Sequence, residues 1–252
     1  MRDIVAPQKV GVGLEKNLAH IRDEHPHGVA LTELDLGKRD YIPVVRKVFR
    51  PQFEVIAPDK GQHSREIAVV VKGKVLSNET IQISKDIGDA GVGNDRWVNR
   101  VKYKRWGRTY VWLHTHVDAV IQDHEPRSKD FGKMLDNART LVTAKAMETI
   151  EGLAREALRD PKVFAIKISG DFNYLPVGKG TTIPQVQPWE FSPQEMFRRL
   201  GMQWVNSRVV YYAWSKNLRK RRVKQVPPHS RTNLSDHGRI VVDVLPRLHR
   251  RK

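Results

Sequence analysis

Apolar residues recur along this chain with two spacings, and the alternation between them predicts its elements. Leu14, Leu18 and Ile21 fall at helical spacing within residues 10–25, with Gly28 as a stop. The segment "GVALTELDL" follows as a short apolar strand that carries Glu33 near its end. Further strands are predicted in "REIAVVVKGKVL", turning at Gly73, and in "RTYVWLHTHV". The longest helical stripe, Leu135, Ala138, Leu141, Val142, Ala146, Ile150, Leu153, Ala154 and Ala157, predicts a helix over 132–160 that Pro161 ends. That helix feeds the strand of "FAIKISGDFNYLP". Ser192, Pro193 and Glu195 then mark the start of a short helix. Strands near 204–214 and 239–245 complete the pattern. Helices alternate loosely with strands, several of them in hairpin-like succession, which favours an α/β sandwich with mixed sheets over a purely parallel doubly wound sheet.

Composition narrows the class. A chain of 252 residues can bury a large core, either as one α/β domain or as two small ones. No apolar run is long enough to cross a bilayer. The opening "MRDIVAPQKV" lacks the apolar core of a secretory signal, so a cytoplasmic protein is expected. With no cysteine, disulfides and thiolate metal sites are excluded. The formal net charge of +17 makes a polyanion the expected partner, nucleic acid before an anionic membrane.

Four polar clusters lie at strand ends or just beyond them: Glu33 in "LTEL", His114 and His116 in "LHTHVD", Asp171 and Asn173 in "GDFN", and Asp236 and His237 in "LSDHGRIVV". Residues two apart on a strand share a face, so Asp171 and Asn173 can serve one site, as can His114 and His116. A carboxylate beside an amide can bind a metal ion, orient a water or contact a phosphate. Gly, Asp and Asn are equally at home in a turn. Of the two histidines, His114 is expected to be the packed one.

These four clusters, in this order, resemble the endonuclease/exonuclease/phosphatase superfamily, which includes pancreatic deoxyribonuclease and the abasic-site endonucleases. "GDFN" followed by "SDH" about sixty residues later carries most of the resemblance. It spans almost the whole chain and implies one domain over 1–252, with a short basic tail from about 246. The implied fold is α/β (α+β), a four-layer sandwich of two packed mixed β-sheets flanked by helices. Glu33 would bind the divalent metal, magnesium or manganese, with Asp236 assisting. Asp171 and Asn173 would position and activate the attacking water or contact the phosphate. His116 and His237 would stabilise the charge that develops on the scissile phosphate. The family usually has a metal-site Asn at the end of the first strand, where this chain has Pro7 and Gln8. Thr32 stands where Gln is common, and Tyr211 near the place of an Asp that orients the last His.

The resemblance and the charge together imply a metal-dependent phosphodiesterase on nucleic acid, with DNA preferred over RNA. The alternatives are a catalytically impaired nucleic-acid-binding protein on the same fold, and a hydrolase of another phosphoester. "HTHVD" also resembles the opening of the zinc motif of metallo-β-lactamase-like hydrolases, but Ala119 stands where that motif continues with His. Arg105 lies in "NRVKYKRWGRTYVW", where cations interleave with Tyr103 and Trp106, a pattern suited to phosphate contact and base stacking. Lys216, Arg219, Lys220, Arg221, Arg222 and Lys224 form a basic run upstream of Asp236 and are expected to hold a polyanion near the site.

Overall fold

In a computed structural model the described residues are 1–8, 13–34, 40–58, 66–84, 96–117, 129–173, 192–228, 230, 233 and 238–247. Two six-stranded mixed sheets form the frame. The first has the order β11 (Leu218–Val226), β12 (Arg239–Pro246), β1 (Arg2–Pro7), β2 (Gly28–Thr32), β4 (Ala68–Val71), β3 (Glu54–Ile56). The second has the order β5 (Lys74–Ser84), β6 (Arg96–Arg105), β7 (Arg108–His116), β8 (Val163–Asp171), β10 (Val210–Trp214), β9 (Gln203–Ser207). Among the described residues, only β1–β2 and β7–β8 pair in parallel. A parallel pair needs a crossover, which helix α1 (Leu14–Asp23) supplies for the first pair and α3 (Lys129–Arg159) for the second.

Strand alternation divides the side chains among three cores. Ile4, Ala6, Val29 and Leu31 face outward onto α1 and α2 (Ile42–Phe49). Ile166, Ile168, Tyr211 and Ala213 face outward onto α3 and α4 (Pro193–Arg199), whose first turn is capped by Ser192 Oγ accepting from Glu195 N–H at 3.1 Å. Val5, Ala30, Trp112, Ala165, Tyr212 and Trp214 fill the space between the sheets. The result is the expected four-layer sandwich. Among the described residues, no helix is long and apolar enough to cross a membrane.

The parallel pairs set the direction of everything else. β1, β2, β7 and β8 all end on one edge of the sandwich, so Gln8, Glu33, His116 and Asp171 gather there. Gly170 lets β8 approach β7 closely on this edge, since a Cβ there would meet the Thr115 carbonyl oxygen at 2.2 Å. Between the sheets sits a buried ion pair, Lys167 Nζ to Asp3 Oδ2 at 2.6 Å, with both side chains fully shielded from solvent.

Candidate metal and phosphate site

The site begins with backbone geometry. Glu33 follows the last residue of β2 at φ 60, and Asn173 follows β8 at φ 48. Non-glycine residues in the left-handed region are uncommon, and such strain concentrates at functional sites. Asp171 Oδ1 accepts from the Asn173 backbone N–H at 2.8 Å, closing a turn that Asp and Asn both favour. The turn and the site therefore coexist: the carboxylate that shapes the chain's reversal also faces the neighbouring strand ends.

Three groups converge on this edge. One ligand atom each from Glu33, His116 and Asp171 lies within 4.8 Å of the other two. Asp171 is fully buried, and His116 nearly so. Two carboxylate oxygens and an imidazole nitrogen make a donor set that fits a divalent cation, the oxygens suiting magnesium and the nitrogen widening the fit toward manganese.

His116 is held from behind by a group that sequence reasoning did not single out. Glu66 Oε2 stands 3.1 Å from His116 Nδ1, and Arg96 Nη1 grips both Glu66 oxygens at 2.6 and 2.7 Å. His116 Nδ1–H donates to the Glu66 carboxylate, and Nε2 stands 3.3 Å from the Asn173 amide nitrogen, which donates to the Val117 carbonyl at 2.7 Å. Burial opposes ionisation of both partners, but their mutual attraction prevails. The Glu66 carboxyl is held down to about 2, by His116 and then by Arg96. For His116, burial is outweighed by the Glu66 hydrogen bond and charge, and its pKa is raised. Glu66 reaches the site because β4 runs antiparallel to β2, so the residues entering β4 lie beside those leaving β2, and Leu34 N–H donates to the Glu66 carbonyl at 2.9 Å.

His114 is built differently. It is fully buried between the sheets, with Nε2 2.8 Å from the Leu31 carbonyl and Nδ1 3.0 Å from Ser169 Oγ, which itself accepts from Trp112 Nε1 at 2.8 Å. It braces β2 just before Glu33. Burial lowers its pKa from 6.5 to about 4, against the opposing hydrogen bonds to Leu31 and Ser169. The unfolded chain therefore binds a proton between those values that the folded protein refuses. The stabilisation is complete above about pH 6.5 and is lost as pH falls toward 4, by on the order of 3 kcal/mol. The gap in unfolding free energy between wild type and His114→Gln should accordingly narrow from pH 7 to pH 4. A gap independent of pH would show that His114 does not titrate this way.

Other sequence-derived positions fall elsewhere. Gln8 is buried on the same edge, but its amide is turned inward: Nε2 donates to the carbonyls of Ala6 and Pro7, and Oε1 accepts from Asn17 at 2.7 Å. Tyr211 faces the helices, with Gln194 donating to its hydroxyl at 2.9 Å, so the site-facing position beside Asp171 is Val210. Asp236 and His237 lie outside the described residues.

The basic run is not where proximity in sequence to Asp236 suggested. Arg219, Lys220, Arg221, Arg222 and Lys224 are exposed on the edge strand β11, which pairs antiparallel to β12 from Leu218↔Pro246 to Val226↔Arg239. Val226 is at the site end, so Arg219 lies about 23 Å down the strand from it. Lys216 is in the turn at the opposite end, and Arg105 is at the β6–β7 turn, also opposite. Lys224 alone of the run approaches the site end.

No protein-family model matches the sequence, and no curated protein sequence does. Solved structures do match in fold. An endonuclease/exonuclease/phosphatase from Bacteroides vulgatus superposes with a TM-score of 0.66 at 13% identity, covering 98% of each chain. A Bacteroides thetaiotaomicron mannosyl-6-phosphatase gives 0.62 at 11% identity over 96% of this chain and 99% of its own. Truncated Caenorhabditis elegans TDP2 gives 0.59 at 14% identity over 96% and 95%. The fold is that of the endonuclease/exonuclease/phosphatase proteins, as the four polar clusters led one to expect.

Proposed function

We propose that the chain is a divalent-metal-dependent phosphoester hydrolase whose substrate is nucleic acid, DNA in the first instance. The observation that carries this reading is the meeting of Glu33, His116 and Asp171 at one strand-end edge, with His116 backed by Glu66. Support comes also from the shared fold and from the net charge of +17. Glu33 would hold the cation, with Asp171 in reach and Asp236 as a further candidate, and His116, paired with Glu66, would be left to the phosphate. When bound, the cation would lower the pKa of a water and neutralise charge on the phosphoester.

The chain's own residues would do the rest. Asp171, held by its turn, presents a carboxylate that can accept a proton from the attacking water. The Glu66 charge favours the cationic form of His116, which suits it to stabilise negative charge on a phosphate oxygen. Asn173, anchored by its donation to the Val117 carbonyl, stands at the His116 ring edge and limits its rotation. His237 is proposed as the second cationic donor, on the strength of the sequence motif.

A second reading, hydrolysis of a small phosphomonoester, is favoured by the likeness to the mannosyl-6-phosphatase. A substrate panel separates the two. Purified protein should cleave a labelled oligonucleotide with magnesium or manganese and lose that activity in EDTA, while releasing little phosphate from sugar phosphates. The reverse preference would establish the phosphatase. No turnover of either substrate would leave a binding protein, consistent with the inward-turned Gln8.

A further inference from the structure

The end of the sandwich opposite the Glu33–His116–Asp171 edge carries its own unexplained chemistry. Strands β6 and β7 are joined there by Trp106 and Gly107, with φ of 48 and 71. Positive φ at both central residues is the signature of a type I′ turn, which favours Asn-Gly. A bulky aromatic in its first position is an outlier for backbone conformation. It is also an outlier for solvation, since Trp106 is 56% exposed. Neither local propensity nor core packing selects tryptophan at this position.

The surroundings hold the ring in place. The Arg105 guanidinium stacks over it at 4.4 Å and is itself anchored by donation to the Lys72 carbonyl. The His27 ring sits 5.5 Å away, tilted at 59°, with Nδ1 accepting from Arg2 N–H at 3.0 Å. On the other side of the turn, Arg108 lies 4.1 Å over Phe164, whose carbonyl accepts from Asn217 Nδ2 at 2.6 Å, next to exposed Lys216. Lys72 and Lys104 are exposed beside the same turn. Seated aromatic area bordered by cations is the arrangement on which unpaired bases stack while their phosphates are neutralised.

We propose that this end of the molecule is a second nucleic-acid contact surface, binding a single-stranded segment by base stacking on Trp106 and by phosphate contact with Arg105, Arg108, Lys72, Lys104 and Lys216. It lies about 26 Å from the hydrolytic edge, eight strand residues along β7. Substrate held here is therefore gripped away from the bond that is cut. A single strand is the chosen occupant because a paired base offers no free face to the indole. The surface goes beyond the hydrolytic reading and binds whether or not the opposite edge is active.

The test uses the full chain in EDTA, so that hydrolysis plays no part, and a fluorescein-labelled oligothymidylate over a range of salt concentrations. Trp106→Asn removes the ring while supplying the residue the turn prefers, so the fold should be retained or strengthened. Affinity should fall about tenfold, with the salt dependence unchanged. Arg105→Gln/Arg108→Gln should instead flatten the plot of log affinity against log salt, by up to about 1.4. A duplex of equal length should lose much less affinity on Trp106→Asn. Wild-type affinity of Trp106→Asn for the oligothymidylate would overturn the proposal. So would a Trp106-dependent attachment to phosphatidylserine vesicles with oligonucleotide binding intact, which would make the surface a membrane contact. Since binding is read without metal, failure here leaves the hydrolytic reading standing, and failure of hydrolysis leaves this one standing.

Discussion

Lys167→Met should destabilise the protein by about 3–5 kcal/mol, with its denaturation midpoint shifted accordingly. Lys167 and Asp3 meet at 2.6 Å between the sheets, each fully buried. The ammonium also donates to the Tyr103 hydroxyl at 2.8 Å and stands 4.8 Å over the Trp112 ring. Asp3 takes a second donor, the Tyr212 hydroxyl, at 2.6 Å. Burial first, and the Asp3 charge next, keep both phenols protonated by raising their pKa values well above 10. Methionine nearly matches lysine in shape, so little packing is lost. What remains is a carboxylate in an apolar layer with a phenol and no cation in direct contact, the N-terminal ammonium and Arg105 acting on it only at longer range, which is costlier than the intact pair.

The pair as a whole need not stabilise the fold relative to an apolar substitute. Asp3→Asn/Lys167→Met should therefore recover most of what Lys167→Met alone loses, because the amide can still accept from Tyr212. Equilibrium denaturation of wild type, both single variants and the double variant measures this coupling. A Lys167→Met protein within about 1 kcal/mol of wild type, or a double variant no better than the singles, would show that the two charges are not coupled across the sheets.

What the sequence disclosed follows from where its periodicities are clean. The stripe from Leu135 to Ala157 and the apolar run in "RTYVWLHTHV" place α3 (Lys129–Arg159) and β7 (Arg108–His116) almost to the residue. Ala146, Ile150, Ala154 and Ala157 pack on the second sheet, and β7 is buried on both faces, Val111 and Leu113 toward the helices and Tyr110 and Trp112 between the sheets. The segments with charge on the open face were harder. In β6, Val101 and Tyr103 point between the sheets, while Arg100, Lys102 and Lys104 share the other face with Val98, so the cations mask the alternation. β11 is an edge strand studded with cations, a known means of discouraging edge-to-edge pairing, so it read as a charged run.

The site shows the same division. Glu33, His116, Asp171 and Asn173 were legible because each ends an apolar strand. Glu66 was not, because an acid before a strand becomes informative only once that strand is known to run antiparallel to β2. The location of the basic run was misjudged for a related reason. Nearness in sequence to Asp236 says nothing about direction, and β11 carries Arg219 to the far end.

Whether the Glu33–His116–Asp171 edge is hydrolytic is decided by the rate of metal-dependent oligonucleotide cleavage by Asp171→Asn. Asparagine keeps the size of the side chain and an oxygen able to accept from the Asn173 N–H, so the turn and the melting temperature should survive. It removes the buried carboxylate that faces Glu33 and His116. Loss of a positioned general base costs on the order of a hundredfold to ten-thousandfold in rate. Affinity for the oligonucleotide should hold or rise slightly, since the cations remain and one negative charge near the phosphate is gone. The folded variant should bind as wild type does and cleave at least about a hundredfold more slowly. A folded Asp171→Asn protein that cleaves at the wild-type rate would contradict the hydrolytic role of this edge, leaving "GDFN" as a turn and placing the chemistry elsewhere.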